Sequence, residues 1–100
     1  MTRNTVQAIN LIDQQIAILF TNNWFQEDII ALRHSLLAKI PDHQTKEIIL
    51  GADRENVRFQ WQKSEFILNF DYYSQSCWFS AHDEMSRAEI QSLFNLLIKN

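Results

Sequence analysis

Glycine and proline are almost missing from this chain of 100 residues, which has one of each, Gly51 and Pro41. Without clustered glycines there is no phosphate-cradling loop, whose backbone amides need positions free of side chains to approach a phosphate. Collagen-like repeats and Gly/Ser linkers are excluded on the same ground. A single cysteine, Cys77, rules out an internal disulfide framework and a cysteine-based zinc cluster. No apolar run approaches the ~20 residues a membrane-spanning helix needs. No block of like charge marks a tail or a nucleic-acid arm: four basic and five acidic residues fall in positions 1–50, five and seven in 51–100. The start of the chain carries no basic segment followed by an apolar stretch and a small-residue cleavage pattern. These absences predict a cytoplasmic protein with no membrane segment.

What is present is apolar and aromatic. Seven Phe, three Trp and two Tyr contribute to a hydrophobic share of 46%, and a chain this short buries only about 60–65% of its unfolded surface, so one core must use most of them. One domain over 1–100 is expected, with the first ~12 residues irregular or a short extra element.

Periodicity places the elements. Ile90, Leu93, Phe94, Leu97 and Ile98 form one stripe at helical spacing. Ser86 and Glu89 have the spacing of a capping box, with Met85 and Ile90 as its hydrophobic staple. A second helix is predicted near 24–40, capped by Asn23, with Phe25, Ile29, Leu32, Leu36 and Ile40 on one face and Pro41 stopping it. Between the helices the period switches to two. Val57, Phe59 and Trp61 alternate with polar residues, as do Phe66, Leu68, Phe70 and Tyr72 with Ile67, Asn69, Asp71 and Tyr73. A turn at Lys63-Ser64 would pair Trp61 with Phe66, and an even loop near Ser74-Gln75 would pair Cys77 with Tyr72 and Phe79 with Phe70. Glu47–Leu50 reads as a further strand, with Gly51 supplying a bulge or a positive-φ turn. Residues 5–20 fit either a strand or a helix. The β-branched Ile16 and Ile18 favour a strand over 15–21. The expected fold is α+β: a mainly antiparallel sheet of four to five strands with two helices on one face, in the order β-α-β-β-β-β-α.

Gly51-Ala52-Asp53-Arg54, the two strands after it, Tyr72-Tyr73-Ser74-Gln75-Ser76-Cys77-Trp78 and the earlier Asn23-Trp24-Phe25 together resemble a family of small bacterial proteins of unknown function. The resemblance implies a bacterial, cytoplasmic protein. It brings no activity, cofactor or catalytic residue.

Three constellations invite a chemical reading. His82-Asp83-Glu84 gathers a metal ligand and two carboxylates, but adjacent residues of an extended segment point in opposite directions, so no metal site is expected. Cys77 and His82 suggest a nucleophile–base pair, yet a cysteine on an apolar face is a buried and inert thiol, so no catalytic residue or cofactor is expected either. The third lies on the outer face of the sheet. The registers above set Arg58 opposite Asn69 and Asn56 opposite Asp71, with Trp78 beside Asp71 and Tyr73 close to Trp78. Arg58, Asn69, Asp71, Tyr73 and Trp78 thus form the predicted interaction patch, since Arg and aromatics are enriched at binding hot spots. Nucleic acid is disfavoured, because the net charge is −3 and the strands carry no Lys/Arg cluster. The expected function is a non-catalytic module binding another protein, or itself, through this face. The alternative is a small-molecule site or enzyme with a pocket near His82.

Overall fold

A computed structural model describes residues 4–99. Six strands, β1 (Val6–Ile12), β2 (Gln15–Phe20), β3 (Gln44–Leu50), β4 (Arg54–Trp61), β5 (Ser64–Asp71) and β6 (Ser76–Ala81), form one antiparallel sheet in the order β1-β2-β6-β5-β4-β3. The helices are α1 (Ile29–Leu37), entered through a single 3-10 turn at Gln26–Asp28, then α2 (Glu84–Arg87) and α3 (Ile90–Leu97). The α+β class and the antiparallel sheet agree with the sequence. The count does not: six strands and three helices replace the expected four to five and two, because the ambiguous N-terminus folds as a complete hairpin.

That hairpin was hidden by its turn. Asp13 and Gln14 connect Ile12 to its partner Gln15 with φ values of 50° and 62°, the two left-handed residues of a type I′ turn, for which Asn-Gly is the usual sequence signal. Elsewhere too, non-glycine residues take left-handed φ: Asp42, Gln62 and Gln75. Gly51 itself does not, so its expected positive-φ role is corrected. Its N–H instead donates to the Arg54 carbonyl at 2.8 Å, closing the β3–β4 connection.

One side of the sheet holds the core. Ile16, Ile18, Val57, Phe59, Phe66, Leu68, Phe70, Cys77 and Phe79 are buried beneath Leu32 and Leu36 of α1 and Ile90, Leu93 and Leu97 of α3. Phe59 sits at its centre, with ring centroids 5.9 Å from both Phe66 and Phe79. The β4–β5 turn is at Gln62-Lys63, one residue earlier than expected, so Phe59 faces Phe66 and Val57 faces Leu68. Across the next hairpin a four-residue loop makes Phe70 face Cys77 and Leu68 face Phe79. Both registers differ from the sequence reading by two residues, a shift that leaves the side chains within β4, β5 and β6 on their expected faces.

The helix starts are corrected as well. Asn23 does not cap α1. The Asp28 carboxylate accepts the Phe25 N–H at 2.8 Å, and α1 ends at Leu37, before Pro41 is reached. At the other end Asp83, not Ser86, is the N-cap, its carboxylate accepting the Ser86 N–H at 2.8 Å. Ser86 is buried, and its hydroxyl accepts the Glu65 N–H at 2.9 Å, tying α2 to β5. Met85 is 88% exposed and staples nothing.

Two outcomes follow. Asp13→Asn with Gln14→Gly relieves left-handed backbone that costs roughly 1–2 kcal/mol per ordinary residue, partly offset by the greater freedom of glycine in the unfolded chain. Thermal unfolding should shift upward by about 4–8 °C, the shift roughly 1 kcal/mol gives a domain of this size; no shift would mean the turn is unstrained. The second concerns Asp83. Hydrogen bonds from Ser86, side chain first and then backbone, hold its carboxyl below the ordinary carboxylate range. A depressed folded pKa adds stability above the unfolded value of about 3.9 and loses it as pH falls through the folded one. Asp83→Ala should therefore lower Tm by a few degrees at neutral pH, with the gap from the parent closing in melts run progressively below pH ~4.

Candidate functional site

Strand alternation that sends the apolar set inward sends a mixed set outward, onto a sheet face that no helix of the described residues covers. One row crosses all six strands: Asn10, Ala17, Trp78, Asn69, Asn56 and Ile49 are successive cross-strand partners. Asn69 is its polar centre, with only 6% of its surface exposed. Its Nδ2 donates to the carbonyls of Ile67 (3.2 Å) and Trp78 (3.1 Å) and to Ser80 Oγ (3.2 Å). Its Oδ1 accepts from Asn56 Nδ2 at 2.7 Å. In the adjoining row Ser80, Ile67, Arg58 and Glu47 are partners. Arg58 donates to Glu65 at 2.7 Å and lies 3.6 Å from Glu47. These two carboxylates, Glu65 foremost, raise the guanidinium pKa and keep it charged.

The fold brings Arg58, Asn69 and Trp78 onto this one face, but in different pairings from those expected. Arg58 faces Ile67 rather than Asn69, and Asn69 rather than Asp71 faces both Asn56 and Trp78. Asp71 lies at the end of the face, opposite Arg54 and Ser76. It is engaged already: Oδ1 accepts from the backbone of Tyr73 (3.1 Å) and Ser74 (3.4 Å), and Oδ2 lies 3.4 Å from Arg54 Nε. Tyr73 leaves the face altogether. It stands 83% exposed in the β5–β6 loop, its ring 6.4 Å from Tyr72 rather than against Trp78. Sequence reasoning missed Ala17 and Leu19 of β2, Ala17 directly opposite Trp78 and Leu19 opposite Ala8 of β1. Placing them on this face required the N-terminal hairpin.

The segments that carry the family resemblance meet at one end of the sheet. Gln75 Oε1 accepts the Trp24 N–H at 2.9 Å, while its Nε2 donates to the carbonyls of Trp24 (2.9 Å) and Tyr72 (3.0 Å). The indole of Trp24 packs edge-on against Phe70. The Tyr72 N–H donates to Asp53 O at 2.8 Å, and the Gln26 side chain donates to Ala52 O. These contacts splice the β2–α1, β3–β4 and β5–β6 connections together, so these residues hold the fold at this end.

Asp83 is occupied as a helix cap, and among the described residues no three His, Cys, Asp or Glu side chains converge to hold a metal. His82 is exposed, with its N–H on Glu65 O. The hollow of about 280 Å³ beside that strand end is lined by Asp13, Gln14, Gln15, Ser80, Ala81 and Arg87, not by His82. Cys77 is buried against Phe70, and burial pushes its thiol far above the ordinary value. Ellman's reagent should accordingly leave the native thiol unmodified on the timescale in which the denatured chain reacts fully. Native reaction as fast as that of the unfolded chain would place Cys77 at the surface.

The family model described as "Protein of unknown function (DUF3630)" matches residues 6–99. No curated protein and no solved structure matches the chain. With nearly its whole length covered, this chain belongs to the DUF3630 family.

Proposed function

We propose that this chain is a non-catalytic protein-interaction module whose binding surface is the outer face of the sheet. One observation carries the reading. Leu19, Ala17, Trp78 and Ile67 form an apolar stripe on a face with no helix above it, beside a polar network whose groups already bond one another. Contiguous apolar surface left on a small soluble domain marks an interaction site more often than scattered exposed residues do. A tryptophan among short side chains, bordered by an arginine, has the composition of a hot spot. The strands also hold these side chains rigidly, which reduces the ordering cost of association. A cytoplasmic, bacterial setting accompanies this reading, supported by the lone unpaired cysteine and by the family resemblance.

The test is a photo-cross-linkable residue at Leu19 in the intact chain, with Gln91 on the solvent side of α3 as the control position. Leu19 should yield a discrete adduct that weakens at least several-fold in Trp78→Ala and Arg58→Ala backgrounds, with thermal melts verifying that both variants fold. Adducts that match those from Gln91, or that both substitutions leave unchanged, would overturn the reading.

A further inference from the structure

We propose that the free edge of β3 accepts an extended segment of another protein as an additional strand, apolar at alternate positions and acidic at its flanks. This edge is a different surface from the outer face. β3 ends the sheet order, and every one of its residues is exposed. At the opposite edge β1 packs Val6, Ile9 and Leu11 against the core. Soluble proteins blunt an open edge with lysine, proline or a bulge. β3 has its bulge between Thr45 and Glu47, with Lys46 inside it. Beyond that point Ile48, Ile49 and Leu50 run on to Gly51 with no such protection.

The backbone decides what can cover this stretch. The Gly51 N–H donates to the Arg54 carbonyl on the β4 side. Successive residues of an antiparallel strand turn their N–H and C=O groups to opposite edges. Those of Ile49 and Glu47 therefore go to β4. Those of Ile48 and Leu50 face outward, with no strand beyond them among the described residues. Donors and acceptors alternating at this spacing are complementary to another extended backbone, the basis of strand addition at a sheet edge.

The side chains specify that strand. Ile48 and Leu50 are partners of Val57 and Glu55, which puts them on the helix side of the sheet. α1 does not cover them, and Leu50 is 71% exposed. Two hollows open there. One, of about 420 Å³, lies between His34 and Leu37 of α1 and Thr45 and Ile48 of β3. The other, of about 450 Å³, lies between Ile29 and Ile30 at the start of α1 and Ile48 and Leu50. An added strand sends every second side chain to this side, at intervals of about 6.8 Å, the same interval that separates Ile48 from Leu50. Two apolar residues flanking a single position thus suit the two hollows.

Charge sets the flanks and disfavours a copy of β3. The ionisable side chains lining the hollows are Arg33, His34, His43, Arg54 and Glu55, and the one carboxylate among them is already bound by Arg33. Arg54 keeps 69% of its side chain exposed beside Asp71, and Lys46 adds an exposed cation at the bulge. Glu47 is turned to the outer face, 3.6 Å from Arg58. A second β3 paired antiparallel about a two-fold axis carries each Lys46 toward the Arg54 end of its partner, like charge against like. A segment with Asp or Glu at both ends meets cations at both.

The test is a library of random peptides displayed on phage, selected on the full chain, with Ile48→Pro for counter-selection. Proline is tolerated on an edge strand where the N–H faces away from the sheet, so this variant removes an outward donor and leaves the β3–β4 bonds in place. Enriched peptides should carry apolar residues two apart with Asp or Glu beside them, and bind at about 1–100 µM by fluorescence anisotropy. Ile48→Pro and, separately, Leu50→Lys should each weaken binding at least tenfold while melting as folded proteins. N-methylation of one alternate set of peptide nitrogens should cost at least tenfold and of the other set little, a pattern that side-chain docking alone does not give. Lysine in place of the acidic flanks should weaken binding several-fold, a difference that about 1 M salt removes. No enrichment over the counter-selection, or enriched peptides indifferent to N-methylation, overturns strand addition. A dimer by light scattering that Ile48→Pro turns into a monomer puts a second copy on the edge and overturns the foreign segment as occupant.

Discussion

The structure depends on a parity constraint. β4, β5 and β6 each place their large apolar residues at alternate positions, and all of those positions must look the same way for Phe59, Phe66, Phe70 and Phe79 to pack into one slab. Shifting any of these strands by a single residue would drive Arg58, Asn69 or Trp78 into the core and turn the phenylalanines to water. Burial of one phenylalanine is worth about 1.5–3 kcal/mol, so such a slip costs several times that figure. The helices need little intrinsic stability in consequence. α1 has nine residues and α3 eight, lengths that are marginal in isolation, and the apolar face of the sheet holds them in place.

The same constraint explains what the sequence revealed and what it did not. Alternation at Val57–Trp61 and at Phe66–Phe70 identified the strands and their buried faces correctly, because burial acts on each residue separately. It left the register open in steps of two, since a two-residue shift preserves parity. The turn chemistry needed to choose among those steps is absent: Asp13-Gln14 and Gln62-Lys63 are not the glycine-containing pairs that announce a tight hairpin. The Asn56–Asn69 and Ala17–Trp78 pairs of the candidate site were therefore out of reach, although Arg58, Asn69 and Trp78 were each assigned to the right face. Ser86 misled for another reason. Its spacing to Glu89 suits a cap, but its hydroxyl serves the Glu65 N–H, a tertiary contact that no local pattern encodes.

Polar groups that do enter the interior are matched one to one. Glu55 lies on the inward face of β4 with only 7% of its side chain exposed, and Arg33 of α1 meets it at 2.5 Å. Removing one partner from such a pair costs about 3–5 kcal/mol, while replacing both by apolar residues is often neutral, so the pair fixes where α1 sits over β4 more than it adds stability. Gln75 does comparable work at the end of the sheet, where one amide serves both Trp24 and Tyr72. Among the described residues no buried side-chain polar atom lacks a partner. Here the interior groups are committed to structure, and that directs attention to the surface.

On that surface the scarcity of glycine takes on a physical meaning. The connections Asp13-Gln14, Gln62-Lys63 and Tyr72–Gln75 hold left-handed backbone in residues that resist it, and they persist because the strands on either side over-determine them. The single glycine, Gly51, lies in the β3–β4 connection, where its N–H is tied to the Arg54 carbonyl. Leu19, Trp78 and Ile67 are consequently presented by paired strands rather than by mobile loops, in the same arrangement whether or not anything is bound. Such a surface gains little from induced fit, and its rigidity lowers the ordering cost of whatever partner docks on it.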